Sequence, residues 1–400
     1  MAITHTASLT LANGSTEIDA WDRYTVSLSM LRVGQPWTFS LWRSTTRNTT
    51  WELLNRRVQL FDRVTLAIDG HPQLTGRAES FERHADGHGE CIAVLSGRDL
   101  AGVAQSWDAD PTINLRGVTL EDALSALFTP LALTLTITPA AAAAEVQGAR
   151  RPGARGAGTT RRRRPIDIAH PRPGEKVWQV AESIVRRAGY LMWCAPRGDD
   201  SIGIVVDAPN YDQQPLYVLE RRLDARGVGS GNILSGAEQI SVQSVPTDVS
   251  VYTGTIRGAA TNARSRSVTQ NAKLYDAAIT RGFMLSTLRP QPRHVRSDRA
   301  RTVAAAQREG ERVIADGMQD FRRYTCTVHG HGQTVQGAMR LYAVNTVARV
   351  HDDLMIDSQG RALDEDMLIT DVVFEGSRAE GTHTRLTLVP KNSIVVTPDE

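Results

Sequence analysis

The hydrophobic spacing of this chain changes period twice, and that change restricts the folds open to it. In WDRYTVSLSM (21–30), Val26, Leu28 and Met30 alternate with polar residues, the two-residue period of a half-buried strand. QPWTFSLW repeats the pattern with Trp37, Phe39 and Leu41, and RVTLAIDG and GECIAVLSGRD add short apolar runs closed by turn pairs. Short strands with glycine-containing turns predict an antiparallel barrel or sandwich over residues 21 to 100.

The middle of the chain has a helical period. VTLEDALSALFTPLAL opens on Thr119 and Asp122 as a capping-box variant, places Leu120, Ala123, Leu124, Leu127 and Phe128 on one face, and stops at Pro130. After a short strand, LTLTIT, comes an alanine- and arginine-rich tract. A second helix follows, with Val177, Val180, Ala181, Ile184, Val185 and Ala188 on its apolar face and Gly189 at the C-cap position. The strands YLMWC and SIGIVV, joined by RGDD, complete an α/β module. QISVQSVPTDVSVYTGTI, FRRYTCTVHGH, LYAVNTVARVHD, DMLITDVVFEGS and THTRLTLVPKN then return to strand composition. One helix is expected among them, from about Ser297 to Asp316, with Ala300, Val303, Ala304 and Ile314 inward.

A length of 400 residues suits two to three domains, and a hydrophobic content of 41% is enough to build their cores. No run approaches the roughly 18 apolar residues that cross a bilayer, so no membrane insertion is expected. MAITHTASLTLANGSTEID lacks a basic start followed by an apolar segment, so no secretory signal is expected either. The three cysteines, Cys91, Cys194 and Cys326, are far apart and odd in number, which argues against a disulfide framework.

Signatures of known chemistry are few. The sequence holds no G-x-S-x-G elbow, no phosphate loop and no H-E-x-x-H. GVGSGN (227–232) lacks the third glycine of a dinucleotide loop. His84, His88 and Cys91 lack a nearby fourth ligand for zinc, and ADGHG reads as a hairpin loop. His329 and His331 fall two apart on one expected strand face, upstream of His351, Asp352 and Asp353, and read as solvated rather than metal-bound. The acidic LDEDML (363–368) reads as a solvated turn, and Trp37 and Phe39 as core. No catalytic, metal or cofactor site is assigned, and no cofactor is expected.

GARRPGARGAGTTRRRRP (148–165) carries Arg150, Arg151, Arg155, Arg161, Arg162, Arg163 and Arg164 with no acid among them. The whole chain has net charge +2, so removing these seven leaves −5 for the rest. A mildly acidic body is a poor general binder of phosphate backbones. The tract reads either as an arm that touches DNA or an acidic protein surface, or as an insertion that a surface loop tolerates.

The order of these segments resembles the Mu-like baseplate hub of contractile-tailed phages. AWDRYTVSLSMLRVGQPWTFSLW, RVTLAIDGHPQLTGRAESF, LSGRDLAGVAQSW and RGVTLEDALSALFTPLALTLTI carry the resemblance first. PGEKVWQVAESIVRRAGYLMWCAPRGDDSIGIV, GNILSGAEQISVQSVPTDVSVYTG, YTCTVHGHGQ and DMLITDVVFEGSRAEGTHTRLTLVP continue it over nearly the whole chain. The most telling parts are Leu95 to Leu100 with Trp107, and the PGEKVW helix entry.

Such hubs are similar to the corresponding part of type VI secretion spikes. The resemblance implies a mainly β, α+β chain, with β-barrel-like domains at 1–98 and 213–400 flanking a smaller α/β module at 99–212. The module is interrupted by the flexible insertion at about 139–172. It further implies a homotrimeric ring in the virion baseplate, assembled in the host cytoplasm, that joins a six-fold tail tube to a three-fold spike. The implied partners are tube, central spike, tape-measure and wedge proteins, with transient passage of DNA, and the arginines above are assigned to assembly or channel contacts. The competing readings are a tail-associated cell-wall-degrading enzyme and a nucleic-acid binder acting through the tract. The three hub-like regions are expected to take up the length that a lytic domain would need.

Overall fold

The fold is taken from a computed structural model. It describes residues 5–11, 17–19, 21–43, 59–85, 91–115, 118–137, 170–196, 202–224, 229–241, 243, 245–246, 248–253, 264–269, 292–297, 303–357, 360–391, 393–394 and 396. The arginine tract lies outside the described residues.

Seven strands come first: β1 (Ala7–Leu11), β2 (Glu17–Ile18), β3 (Arg23–Ser29), β4 (Pro36–Arg43), β5 (Arg63–Ile68), β6 (His71–Ala85) and β7 (Cys91–Asp99). They lie antiparallel in the order β3-β4-β7-β6-β5-β1-β2. Alternation sets which side is buried: Val26, Leu28 and Met30 face the core with Trp37, Phe39 and Leu41, as the spacing predicts. The pairing of Ala85 with Cys91 gives β6 and β7 the predicted hairpin.

The middle module contains α1 (Leu100–Ser106), α2 (Leu120–Phe128), β8 (Leu135–Ile137), α3 (Val177–Arg187), β9 (Leu191–Pro196) and β10 (Ile202–Asp207). Its helices begin and end where the sequence places the signals. The Asp122 backbone N–H donates to the Thr119 hydroxyl at 3.1 Å, and Gly189 closes α3 with φ +85°. β9 is buried on both faces, which explains its unbroken apolar run. Met192 and Cys194 join the helices' core, while Leu191, Trp193 and Ala195 join the core of the large sheet. The module is therefore joined to the β regions along this strand, with Val205 of β10 packed beside it.

The last region holds β11 (Tyr217–Leu223), β12 (Gly229–Gly231), β13 (Ile233–Ile240), β14 (Asp248–Thr253), β15 (Arg264–Thr269), β16 (Pro292–Ser297), α4 (Val303–Gln319), β17 (Arg322–His329), β18 (Gly332–Val335), β19 (Ala338–Leu341), β20 (Thr346–Ile356), β21 (Ala362–Ser377) and β22 (Gly381–Pro390). Within the described residues the expected helix runs Val303–Gln319, three residues past its sequence end, and the residues just ahead of Val303 are not among those described. It is not a lone insertion, because it packs against the separate sheet β15-β14-β16, where Ile314 meets Val249 and Val251 in a small core. Ala300 lies outside the described residues. Among the described residues no helix is long and apolar enough to cross a membrane.

Two sequence expectations are corrected. The flanking β regions are not two closed barrels: they share one fourteen-stranded sheet and one apolar core. The joint is β21. Its first half pairs with β20 from Leu363 to Ile369, its second half pairs with β3 from Asp371 to Ser377, and β22 covers the opposite edge. A bulge between Ile369 and Asp371 separates the two halves. Alternation in sequence reports which face a strand buries and is silent on which strand lies beside it, so a shared edge reads as two separate units. LDEDML is not a turn. It is the start of β21, with Leu363 and Met367 buried and its acids paired across the sheet: Asp364 to Arg349 at 2.8 Å and Asp366 to Lys391 at 3.4 Å.

At the joint, Gly376 lies opposite Tyr24 of β3, and a methyl group added there would come within 2.2 Å of the Tyr24 ring. Gly376→Ala is expected to push the two regions apart and to cost ~1–3 kcal/mol in urea unfolding. Gly381→Ala, at a turn with open space around it, should instead show only the smaller cost of its φ of +77°.

Candidate functional site

Beside the β21–β3 joint, a buried polar chain links the first residues described to the last sheet. His5, Asp69 and Tyr24 come from the first region; Gly330, His331 and Thr384 come from the last. The donors can be assigned by counting. The Thr384 hydroxyl donates to the Gly330 carbonyl (2.6 Å), so it accepts from His331 Nδ1–H (2.9 Å). The Tyr24 hydroxyl then donates to His331 Nε2 (2.6 Å). The His331 backbone N–H donates to His5 Nε2 (2.9 Å), and His5 Nδ1–H donates to Asp69 (2.5 Å). Asp69 also accepts from the Thr6 backbone at 2.8 Å.

The rings of His5 and His331 stack at 4.9 Å, and Phe374 closes edge-on at 5.2 Å. Burial, with the nearby His5, pushes the His331 imidazole down to about 3. Burial raises the Tyr24 hydroxyl above its ordinary range, with the Asp69 charge adding to it. Burial opposes ionisation of Asp69, yet its bonds from His5 and Thr6 hold the carboxyl below its usual range.

This corrects the expectation for TVHGHG. His329 ends β17 exposed, Gly330 turns the chain with φ +67°, and His331 is fully buried, so the two histidines do not share a solvated face. His331 uses both ring nitrogens within the protein and presents no lone pair to a metal.

A second buried polar group lies within the last sheet. Asp352, fully buried on β20, accepts two bonds from Arg221 (2.9 and 2.6 Å), one from the Tyr324 hydroxyl (2.6 Å) and one from the Leu354 backbone (3.0 Å). Gly236 leaves room for it: a methyl group there would lie 2.5 Å from the Tyr324 oxygen and 2.9 Å from Asp352. Nearby Arg322 binds Glu238 (2.7 Å) and Glu365. His351 bonds to Asp353 at 2.9 Å. The downstream acids of the sequence reading are therefore ion-paired, and among the described residues no three metal-binding side chains cluster.

GVGSGN does not open a helix. Its described residues form β12 and Asn232, whose amide accepts from the Glu220 N–H (2.8 Å) and donates to the Val218 carbonyl (2.8 Å). The Gln333 amide meets Val218 N–H (3.0 Å) and its carbonyl (2.6 Å). Two side-chain amides thus stand in for a strand on the outer edge of β11, a way of blunting an edge.

Asp99 caps α1 through the Gly102 N–H (3.0 Å), and burial pushes its carboxyl up to about 6. It is a buried helix cap. The seven arginines assigned from sequence, Arg150 to Arg164, lie outside the described residues. The chain enters that segment after β8 and leaves it at His170, whose ring contacts the Ile113 carbonyl at 3.1 Å. The sequence singles out His331 and Asp352 among these groups, but nothing in it marks their burial or their partners, which lie up to 326 residues apart.

No protein-family model and no curated protein matches the sequence. Solved structures do match its fold. The tail protein from Neisseria meningitidis MC58 is similar over 99% of both chains, with TM-score 0.73 and 22% identity. The 43 kDa tail protein of prophage MuSo2 from Shewanella oneidensis is similar over 98% of this chain and all of its own, with TM-score 0.71 and 14% identity. A chain of the half-lidded Francisella PdpA–VgrG complex is similar over all of this chain and 60% of its own, with TM-score 0.56 and 7% identity. The hub-like resemblance read from sequence is thus met by a tail-protein fold over nearly the whole chain.

His331 and Asp99 give opposing pH dependences. In the unfolded chain His331 takes a proton below about 6.5, and in the fold only near 3, so stability falls as the pH drops through that window. Asp99 takes its proton near 6 in the fold and near 3.8 unfolded, so its contribution rises as the pH drops between those values. Each slope is at most ~1.4 kcal/mol per pH unit. Relative to wild type, His331→Gln should therefore gain stability as urea titrations move from about pH 7 to about pH 4, and Asp99→Asn should lose it.

Proposed function

We propose that this chain is the structural hub of a contractile phage tail or a related injection particle. The observation that carries the reading is similarity of fold to two tail proteins at full length in both directions, reached independently of the sequence resemblance. Likeness to a chain of a VgrG complex supports a place next to a spike.

In this reading three copies form a ring around a channel, in the baseplate of a particle assembled in the host cytoplasm. One face meets the tail tube, the other the central spike, and tape-measure protein and then DNA pass through. The regions 1–98, 99–212 and 213–400 act as one structural body, with the middle module turned to the wedge proteins. The mechanism is symmetry matching: two β regions per copy present six positions to a six-fold tube, and three copies present true three-fold symmetry to a spike. No catalytic step is involved. The arginine tract, anchored between β8 and α3, orders against an acidic neighbour on assembly.

Light scattering on the purified chain should give about 131 kDa, three times 43.8 kDa. A stable monomer or dimer at all concentrations would overturn the hub reading. Removing residues 148–164 should leave the melting temperature unchanged and reduce incorporation into particles. Normal incorporation would remove the tract's assigned role and leave the hub reading standing.

A further inference from the structure

The start of β5 presents an apolar side chain outward at a conformational cost. Phe61 has φ +73°, a left-handed geometry that is strained for an aromatic residue, and its ring is 71% exposed; Leu60 beside it is 53% exposed. The turn is fixed from several sides. Phe61 N–H donates to the Ala78 carbonyl (2.6 Å), Ala78 N–H to the Asp62 carbonyl (3.0 Å), and Asp62 N–H to the Gln59 carbonyl (3.1 Å); Gln59 N–H donates to the Asp62 carboxylate (3.0 Å). A strained, well-pinned turn with its two apolar side chains in solvent has the form of an anchor for another protein surface.

The same chain carries a matching socket elsewhere. A cavity of about 320 Å³ lies where the segment after β3 meets α3 and β9. Its floor is Met30, Trp178, Leu191 and Met192, all buried, and Arg32 and Arg186 stand at its rim. Two methionines give a floor that adapts to an inserted side chain, and a tryptophan beneath it suits an aromatic one. Arg186 is held by Glu182 (3.0 Å) and Asp316 (3.1 Å), whereas no carboxylate among the described residues pairs with Arg32. An apolar floor beside a cation fits an apolar anchor followed by an acid, which is the order Leu60, Phe61, Asp62.

We infer that the Leu60–Phe61 turn of one copy seats in the Met30–Trp178 cavity of the next, with Asp62 facing Arg32. This rests on the hub reading above and specifies how its copies are joined. Knob and socket are built from different residues of one chain, so each copy can give its knob to one neighbour and its socket to another, the head-to-tail contact that closes into a ring when the rotation permits.

Phe61→Gly separates this role from a structural one. Glycine accepts the left-handed turn, so the melting temperature should rise, while the ring should dissociate at least about tenfold more readily on dilution. In a mixture of Leu60→Cys and Arg32→Cys chains that both also carry Cys91→Ser, oxidation should give a disulfide-linked pair that neither variant gives alone; Cys194 and Cys326 are buried and stay out of the reaction. A wild-type trimer whose dilution behaviour is unchanged by Phe61→Gly, or that gives no mixed disulfide, would overturn the knob and socket alone. A wild-type chain that never associates would overturn the hub reading together with it.

Discussion

A strand has two edges, and what lies along the edges of β21 decides the shape of this molecule. With sixteen residues it is longer than β20 can cover, and β3 takes the remainder. Because backbone donors and acceptors must find partners when buried, the second half of β21 would be an orphan edge without β3. The first and last regions therefore cannot separate without exposing a row of seven paired positions and the core beneath them. The bulge at Ile369–Asp371 makes the shared edge workable, since extra local twist there turns the β3 half away from the β20 half.

The buried polar chain from Asp69 to Thr384 lies at this joint, and its role follows from its completeness. Apolar packing is non-directional and tolerates sliding, whereas a chain of assigned donors and acceptors fixes one register. His331 has a partner for its backbone N–H and for both ring nitrogens, so moving β3 along β21 by a residue would strand several buried groups together. The Arg221–Asp352–Tyr324 group acts similarly within the last sheet, where it ties β11, β17 and β20 together. Breaking it would leave a buried charge uncompensated, a much larger penalty than the pair's net contribution to stability.

What could be read from sequence divides along the same line between local and distant. The faces of β3 and β4, the Thr119 cap, the Gly189 helix end and the hairpin around ADGHG are set by neighbours in the chain, and spacing reveals them. The α4 face that meets β14 is local in the same way: Ile314 is legible as inward from helical spacing, whereas the sheet it packs on is not. The shared edge of β21, the burial of His331 and the pairing of the LDEDML acids depend on residues far apart in sequence. An isolated histidine or aspartate carries no mark of the partner awaiting it. The arginine tract is the reverse case: conspicuous in sequence, and placed by the structure only through its anchors at β8 and His170.

The middle module shows how such an insertion is accommodated without disturbing the sheet. Its three strands run β8-β10-β9; β9 is buried from both sides, and Val205 of β10 packs beside it against the large core. The tract enters after β8, the strand of this small sheet farthest from β9, so the chain between Ile137 and His170 can grow without touching the strand that carries the load between the two cores. Loop length itself adds little entropic cost. The geometry that tolerates a long basic segment is thus the same geometry that keeps the two β regions joined: the tract leaves from the outer strand of the module, while β9, on the other side of the small sheet, is packed between the two cores.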